Sequence, residues 1–112
     1  MGISTHVLDT SRGAPAAGIA VMLERHAGDG WREVGSGVTD GDGRVAALIP
    51  DGQEAQPGTY RLRFGVHSYF AAAGVASFYP VVEITFTTAA AHPKYHVPLL
   101  LSPFGYSTYR GS

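Results

Sequence analysis

Histidine and arginine are the residue types in this chain that offer the clearest chemistry. The sequence has 112 residues with five histidines and no cysteine, which excludes thiol catalysis and thiolate-bound zinc. Histidine exchanges a proton near neutral pH, and arginine offers a fixed fork of N–H donors to carbonyl oxygens. His6 and His96 lie within or beside predicted strands, whereas His26 and His67 lie beside turns and are expected on the surface.

Each of the candidate residues also has an ordinary interpretation. By composition alone, His6 and His96 are expected to be hydrogen-bonded histidines without a catalytic role. Arg44 follows a turn, where a solvated charge is common, and Arg110 is third from the end of the sequence, where chains commonly fray. Residue type therefore leaves both interpretations open.

Two suggestive metal patterns are incomplete. His92 and His96 have the spacing of a zinc half-site, but a proline interrupts them and no further ligand pair completes a tetrahedral set. Asp40-Gly41-Asp42-Gly43 begins like a calcium loop, but Val45 and Asp51 stand where that loop needs Gly and Glu. We therefore expect no metal and no other cofactor.

Short segments in which apolar and polar residues alternate predict strands. In the clearest segment, Tyr60, Leu62 and Phe64 alternate with Arg61 and Arg63. Eight strands are expected, at Ser4–Leu8, Ile19–Arg25, Trp31–Thr39, Arg44–Ile49, Tyr60–Val66, Val82–Thr87, Tyr95–Leu101 and Tyr106–Arg110.

Turn residues and one alanine-rich segment complete the pattern. Asp40-Gly41-Asp42-Gly43 predicts a hairpin between Trp31–Thr39 and Arg44–Ile49, because Asp and Gly tolerate the dihedrals of tight turns. Ser68–Ala76 lacks alternation and predicts a short helix that ends near Pro80. The expected fold is all-β, a two-sheet sandwich of about eight strands with one short helix, in a single domain spanning residues 1–112.

Charge and hydropathy narrow the possible partners. The net charge is −1, which gives no electrostatic basis for binding nucleic acid or an anionic membrane. Charged residues make up only 15% of the chain, which leaves room for a subunit interface. Leu99-Leu100-Leu101 is apolar on both faces of its strand, so a partner subunit, a loop or the helix must cover the second face. With neither a membrane-spanning run nor a secretory signal, a cytoplasmic protein is expected.

Longer segments carry a family resemblance. Ser4–Ala16, which contains Thr5-His6-Val7-Leu8-Asp9, resembles the opening of the transthyretin-related proteins. Tyr95–Ser112 is similar to their C-terminal signature almost throughout, and Thr39–Arg44 and Phe78–Phe86 fit the same family. The likeness runs from about residue 3 to residue 112 without a large gap.

The resemblance implies a transthyretin-like, or prealbumin-like, sandwich that pairs edge strands into dimers and stacks two dimers into a homotetramer. The family has two functions. Vertebrate transthyretin carries thyroid hormone in a channel between the dimers. The enzymes of the family hydrolyse 5-hydroxyisourate, the unstable product of urate oxidase in purine breakdown, to 2-oxo-4-hydroxy-4-carboxy-5-ureidoimidazoline. A small oxidised purine is therefore the implied substrate.

The residues that distinguish the enzymes are present in this chain. The matching positions are His6, Arg44, His96, Tyr109, Arg110, Gly111 and Ser112. The resemblance assigns water activation and proton transfer to the two histidines, and substrate binding and polarisation to Arg44. It assigns substrate binding to the last four residues as well, of which Tyr109, Arg110 and Ser112 would close the pocket and orient the ring or the water. The hormone carrier lacks this set, so the enzyme is favoured over a carrier of small aromatic ligands and over a structural sandwich module.

Overall fold

The computed structural model describes residues 2–50, 56–90 and 92–111. Within these ranges the chain forms nine strands and one helix. In chain order they are β1 (Gly2–Asp9), β2 (Ala14–Pro15), β3 (Ala20–Ala27), β4 (Gly30–Val38), β5 (Arg44–Val45), β6 (Thr59–Phe64), α1 (Val66–Ala72), β7 (Val82–Thr87), β8 (Lys94–Ser102) and β9 (Gly105–Thr108).

The strands form two sheets that pack face to face. The first sheet has the order β2-β1-β8-β9, with β5 also paired to β1, and the second has the order β4-β3-β6-β7. All pairings are antiparallel except that of β1 with β8, which is parallel. The all-β sandwich expected from the alternating segments is confirmed, and β2 is a short addition that the sequence pattern did not predict.

The core lies between the sheets and follows the alternation read from the sequence. On β6, Tyr60, Leu62 and Phe64 are fully buried, and on β3 Val21 and Leu23 face them across the strand pairing. Burial of each such side chain contributes roughly 1.5–3 kcal/mol relative to leaving it exposed. On β6 the outward residues between them, Arg61 and Arg63, are charged and partly exposed, as the pattern predicts.

The hairpin predicted around Asp40-Gly41-Asp42-Gly43 is wrong, although the tight turn itself forms. The Asp40 carboxylate accepts hydrogen bonds from the backbone N–H of Asp42 and of Arg44, at 2.9 and 3.0 Å. However, β4 pairs with β3, whereas β5 pairs with β1 in the other sheet. The turn therefore crosses between the sheets, and regular pairing on β5 ends at Val45 rather than at Ile49. Turn chemistry specifies a reversal of the chain but not the strand that the returning segment meets.

Docking of this turn on β1 explains the crossing. The carbonyl of Gly43 accepts a hydrogen bond of 2.7 Å from the Val7 N–H. Gly43 has a φ of +76°, and a Cβ there would collide with the Val7 carbonyl oxygen. A side chain at residue 43 would therefore oppose both the turn and its contact with β1.

The helix starts and ends earlier than the predicted Ser68–Ala76. It begins at Val66 because Val66 and Phe70, one turn apart, are both buried against the sheets. It ends at Ala72, and the turn that follows contains Gly74, whose φ is +70°. The N–H groups of Gly74 and Val75 donate to the carbonyls of Ala71 and Phe70, a C-terminal cap that glycine favours. No helix in the described ranges is long and apolar enough to cross a membrane.

Asp9, at the end of β1, ties the helix to the first sheet. Its side chain is only 1% exposed and accepts hydrogen bonds from the Ser11 hydroxyl at 2.6 Å and the Tyr69 hydroxyl at 2.7 Å. It also accepts hydrogen bonds from the backbone N–H groups of Ser11 and Arg12. Burial alone would raise the pKa of Asp9, but these hydrogen bonds outweigh burial and lower the pKa.

We expect Asp9→Asn to lower the free energy of unfolding at neutral pH by about 1–3 kcal/mol, because a buried charged acceptor is lost. A lowered folded-state pKa contributes stability above the unfolded value near 3.9, and this stability disappears as pH falls through the folded pKa. The difference between wild type and variant, measured by urea unfolding, should therefore shrink below about pH 4. The exposed Asp29→Asn is the control. An Asp9→Asn deficit that is constant from pH 7 to pH 3 would contradict this account.

Candidate active site

Alternation along β1 places His6 on the outer face of the first sheet. Ile3, Thr5 and Val7 are buried between the sheets, so Ser4 and His6 point the other way and are half-buried. Arg44 on β5 is directly opposite His6, and directly paired residues of adjacent strands share a face. The crossing turn therefore brings a guanidinium beside an imidazole.

His96 joins this face from β8. Its neighbours Tyr95 and Val97 are buried, which turns His96 outward, and the parallel register pairs it with Ser4. The Ser4 hydroxyl lies 2.9 Å from Nδ1 of His96. This contact holds the ring and leaves Nε2 for a ligand or water. The side chains of Ser4, His6, Arg44 and His96 thus meet on one surface, although about ninety residues separate the two histidines.

The environment of His96 favours its neutral form. Burial lowers the pKa of His96 below its ordinary value of 6.5, and the charges of Arg44 and His6 lower this pKa further. At neutral pH the ring is therefore an unprotonated imidazole that can accept a proton, which is the state required of a general base.

Gly111 brings the end of the described chain against His96. The two residues form an antiparallel bridge in which the Gly111 N–H donates to the His96 carbonyl at 2.7 Å. A Cβ at residue 111 would lie 2.6 Å from Cδ2 of His96. Only glycine permits this close approach of backbone to ring.

A cavity of about 460 Å³ opens at this point. Its lining includes Gly2, Ser4, Arg44, Lys94, His96 and Gly111. Among the residues that the structure describes, the lining holds two cationic side chains, Arg44 and Lys94, and no carboxylate. His6 stands next to Arg44 but is not among the residues that line the cavity. Such a cavity suits a small polar molecule that carries carbonyl oxygens or a negative charge.

Two other predicted site residues, Tyr109 and Arg110, do not line this cavity. The Arg110 guanidinium carbon is 5.1 Å from the centroid of the Tyr95 ring. Arg110 and the 57%-exposed Tyr109 line a second cavity of about 490 Å³, between β7 and the terminal segment. The structure thus brings together His6, Arg44, His96 and Gly111 but not Tyr109 and Arg110. Ser112 lies outside the described residues.

Two lining residues, Ser4 and Lys94, were not predicted. Each precedes a candidate histidine by two positions, so the period of a strand places Ser4 on the face of His6 and Lys94 on that of His96. The two-residue period was therefore the sequence signal from which Ser4 and Lys94 could have been predicted. The contact between Ser4 and His96 depends on the pairing of β1 with β8, for which the sequence gives no direct sign.

His92 and His96, which have the spacing of a zinc half-site, line different cavities. His92 is exposed, packs its ring edge against Tyr95 and lines the second cavity, whereas His96 lines the first. Within residues 2–50, 56–90 and 92–111, no three His, Asp or Glu side chains come close enough to hold a metal ion together.

These observations define a class of protein: a two-sheet β-sandwich with a cationic, imidazole-bearing cavity on the outer face of one sheet. The chain belongs to the HIUase/Transthyretin family, whose model matches residues 3–111.

Individual relatives agree with this assignment. The chain is 44% identical over 110 residues to the 5-hydroxyisourate hydrolase of Salmonella dublin, covering 98% of this chain and 80% of that protein. The structure of 5-hydroxyisourate hydrolase from Klebsiella pneumoniae matches with a TM-score of 0.87 and 35% identity over the full length of both chains. Sea bream transthyretin in complex with thyroxine matches with a TM-score of 0.91 and 33% identity, covering 99% of this chain and 95% of that one. Backbone similarity alone therefore does not separate enzyme from carrier.

We expect Ser4→Ala to lower kcat roughly ten- to hundredfold, because the His96 ring loses its anchor and its orientation. The acid limb of the pH–rate profile should stay below pH 6.5 in wild type and variant, since burial and the charges of Arg44 and His6 set the pKa of His96. Ser4→Thr, which keeps a hydroxyl, should restore most of the rate. Equal kcat in wild type and Ser4→Ala would show that the anchor is dispensable.

We expect Gly111→Ala to lower kcat/KM about tenfold or more, because the added methyl group must displace either the His96 ring or the terminal segment. Gly30→Ala, at a site where a Cβ meets nothing within 4 Å, is the matched control. Thermal unfolding of both variants should be close to wild type. Wild-type kinetics in Gly111→Ala would mean that the close contact with His96 has no functional role.

Proposed function

We propose that this chain hydrolyses 5-hydroxyisourate in urate degradation and that the reaction takes place in the cavity around His96. The observation that carries the proposal is the His96 imidazole, hydrogen-bonded to Ser4 and close to the Arg44 guanidinium, in a cavity that has no carboxylate among its described lining residues. Burial and the charges of Arg44 and His6 lower the pKa of His96, which favours its neutral form. The identity of the proposed substrate comes from the relatives that are named 5-hydroxyisourate hydrolase. The substrate is a small ring rich in carbonyl groups, which matches the size and charge of the cavity.

The proposed mechanism adds one water molecule across a C–N bond of the ring. His96 accepts a proton as the water oxygen bonds to the carbonyl carbon, and the carbonyl electrons move onto its oxygen. Arg44 stabilises that oxyanion through its N–H donors. As the intermediate collapses, the C–N bond breaks and the imidazolium returns its proton to the leaving nitrogen. His96 is then neutral again, ready for another turnover.

His6 and the terminal residues have supporting roles in this proposal. His6 lies across the strand pairing from Arg44, where it can orient the guanidinium or relay a proton. Gly111 forms part of the cavity wall. The closure roles of Tyr109, Arg110 and Ser112 stay predictions, and for Arg110 the role requires its guanidinium to leave the Tyr95 ring.

The homotetramer and the cytoplasmic location also stay predictions, as does the single domain. In the described part of the chain, β7 and β9 are end strands of their sheets. Exposed aromatic side chains lie beside them, at Phe78, Phe104, Tyr106 and Tyr109. Apolar surface next to sheet edges supports assembly with further copies.

The carrier alternative is less favoured. A channel that carries an aromatic ligand needs apolar walls, whereas this cavity presents His96, Arg44 and Lys94. The likeness to sea bream transthyretin concerns the fold, which many functions can share.

The direct test follows the ultraviolet absorbance of freshly generated 5-hydroxyisourate with and without the protein. We expect a large acceleration by wild type and a loss of kcat of about a hundredfold or more in His6→Ala and in His96→Ala. His67→Ala, an exposed histidine on α1, is the control and should retain activity. Tight hormone binding without any acceleration would support the carrier, and near-normal turnover in both site variants would remove the histidines from the mechanism.

A further inference from the structure

Lys94 is the only lysine in the sequence, and its side chain lines the cavity that holds His96. It occupies the first position of β8, two residues before His96, and its immediate strand neighbour Tyr95 is buried. Lys94 and His96 therefore project from the same face of the sheet.

The two cations of the cavity stand at opposite ends of it. The register pairs Lys94 with Gly2 and His96 with Ser4, while Arg44 faces His6 from the other side of β1. Gly2 and His6 are four residues apart, which is ~13 Å of strand at about 3.3 Å per residue. The imidazole thus lies between an ammonium and a guanidinium.

The space around Lys94 is open. Gly2, its partner across the strand pairing, has no side chain, and a Cβ built on Gly2 would meet nothing within 4 Å. The Lys94 side chain can therefore reach into the cavity without displacing a neighbour.

The charge environment of Lys94 differs from that of Arg44. The carboxylate of Asp40 accepts a hydrogen bond from the backbone N–H of Arg44. The pKa of Asp40 is lowered mainly by the backbone hydrogen bonds from Arg44 and Asp42, and to a smaller extent by the charge of Arg44. Asp40 therefore partly offsets the charge of Arg44. Among residues 2–50, 56–90 and 92–111, the ion pairs involve only Arg61 and Arg63 with Glu24 and Glu83, all on the second sheet. With respect to the described residues, the ammonium of Lys94 is thus the less compensated of the two cations.

We propose that Lys94 is a specificity-determining residue that binds a negatively charged oxygen of the ring substrate and so selects the anion over a neutral ring of the same size. The inference rests on the proposed function. Arg44 then acts at the reacting carbonyl, and Lys94 holds the opposite end of the molecule. An interaction made equally in the bound substrate and in the transition state affects KM rather than kcat.

The kinetic test compares wild type with Lys94→Gln, Lys94→Arg and Arg32→Gln. Arg32 is an exposed cation on β4 of the other sheet, so its variant loses the same net charge away from the cavity. We expect Lys94→Gln to raise KM about two- to tenfold with kcat nearly unchanged, and to weaken the dependence of kcat/KM on ionic strength. Lys94→Arg should keep KM near the wild-type value, and Arg32→Gln should behave as wild type. Equal KM and equal salt dependence in Lys94→Gln and Arg32→Gln would overturn the proposal, as would a fall in kcat at constant KM.

A binding test uses ligands that are not hydrolysed. Calorimetric titration should show that wild type binds urate, an anion at neutral pH, more tightly than the neutral purine hypoxanthine. We expect Lys94→Gln to lose this preference, and a preference retained in the variant would overturn the proposal. The result is separable from the proposed function, because a wild type that does not accelerate 5-hydroxyisourate decay would contradict that function whatever the purine preference.

Chemical labelling gives a third readout on the unmodified chain. Because Lys94 is the only lysine, reductive methylation of side-chain amines reports on this residue alone, and mass spectrometry of its peptide measures the rate. Urate should slow methylation of Lys94, whereas hypoxanthine at the same concentration should not. Equal labelling rates with and without urate would count against contact between Lys94 and the anion.

Discussion

The parallel pairing of β1 with β8 is the constraint on which the candidate site depends. Eight residue pairs, from Gly2–Lys94 to Asp9–Leu101, join the two ends of the chain. A buried hydrogen bond of 2.7 Å from the Thr5 hydroxyl to the Val97 carbonyl supports this register from the core side. Because side chains alternate between the faces of a strand, a shift of one residue would move His96 into the core and expose Tyr95. The same apolar burial that stabilises the sandwich therefore also holds the imidazole at the cavity.

Close backbone approaches bring the third functional group to this pair of strands. Gly43 lets the crossing turn dock on Val7, and Gly35 on β4 leaves room for the Leu48 carbonyl, which a Cβ would strike. The Leu48 N–H in turn donates to the Ile3 carbonyl at 3.0 Å. The segment after the turn is thus held between the sheets, and Arg44 is fixed opposite His6. Gly111, near the C-terminal end of the described chain, allows a similar close approach. Because it has no side chain, its backbone can lie against the His96 ring.

Electrostatics then divides the roles among the groups in the cavity. Burial, together with the charges of Arg44 and His6, lowers the pKa of His96 and so favours an imidazole that can accept a proton. The cations Arg44 and Lys94 in the cavity lining attract an oxygen-rich or anionic ligand. Burial strengthens both effects, since charges interact more strongly where water is partly excluded. The proposed base, His96, and the proposed binding groups, Arg44 and Lys94, therefore act within one cluster of charges, in which the two cations lie on either side of the imidazole.

The amino-acid sequence was enough to predict most of the strands, the sandwich and a set of candidate site residues. Period-2 burial and turn preferences are local properties, and the residues of the family signature are largely consecutive. The alternation of Tyr60–Phe64 and the location of His6 and His96 within or beside strands are predictions of this kind. The sequence failed where the outcome depends on distant partners. It placed Asp40–Gly43 in a hairpin, whereas the turn crosses between the sheets. It also missed Ser4 and Lys94, which line the cavity. These features became visible only in the three-dimensional structure, because strand pairing, register and backbone approach depend on packing between segments far apart in the chain.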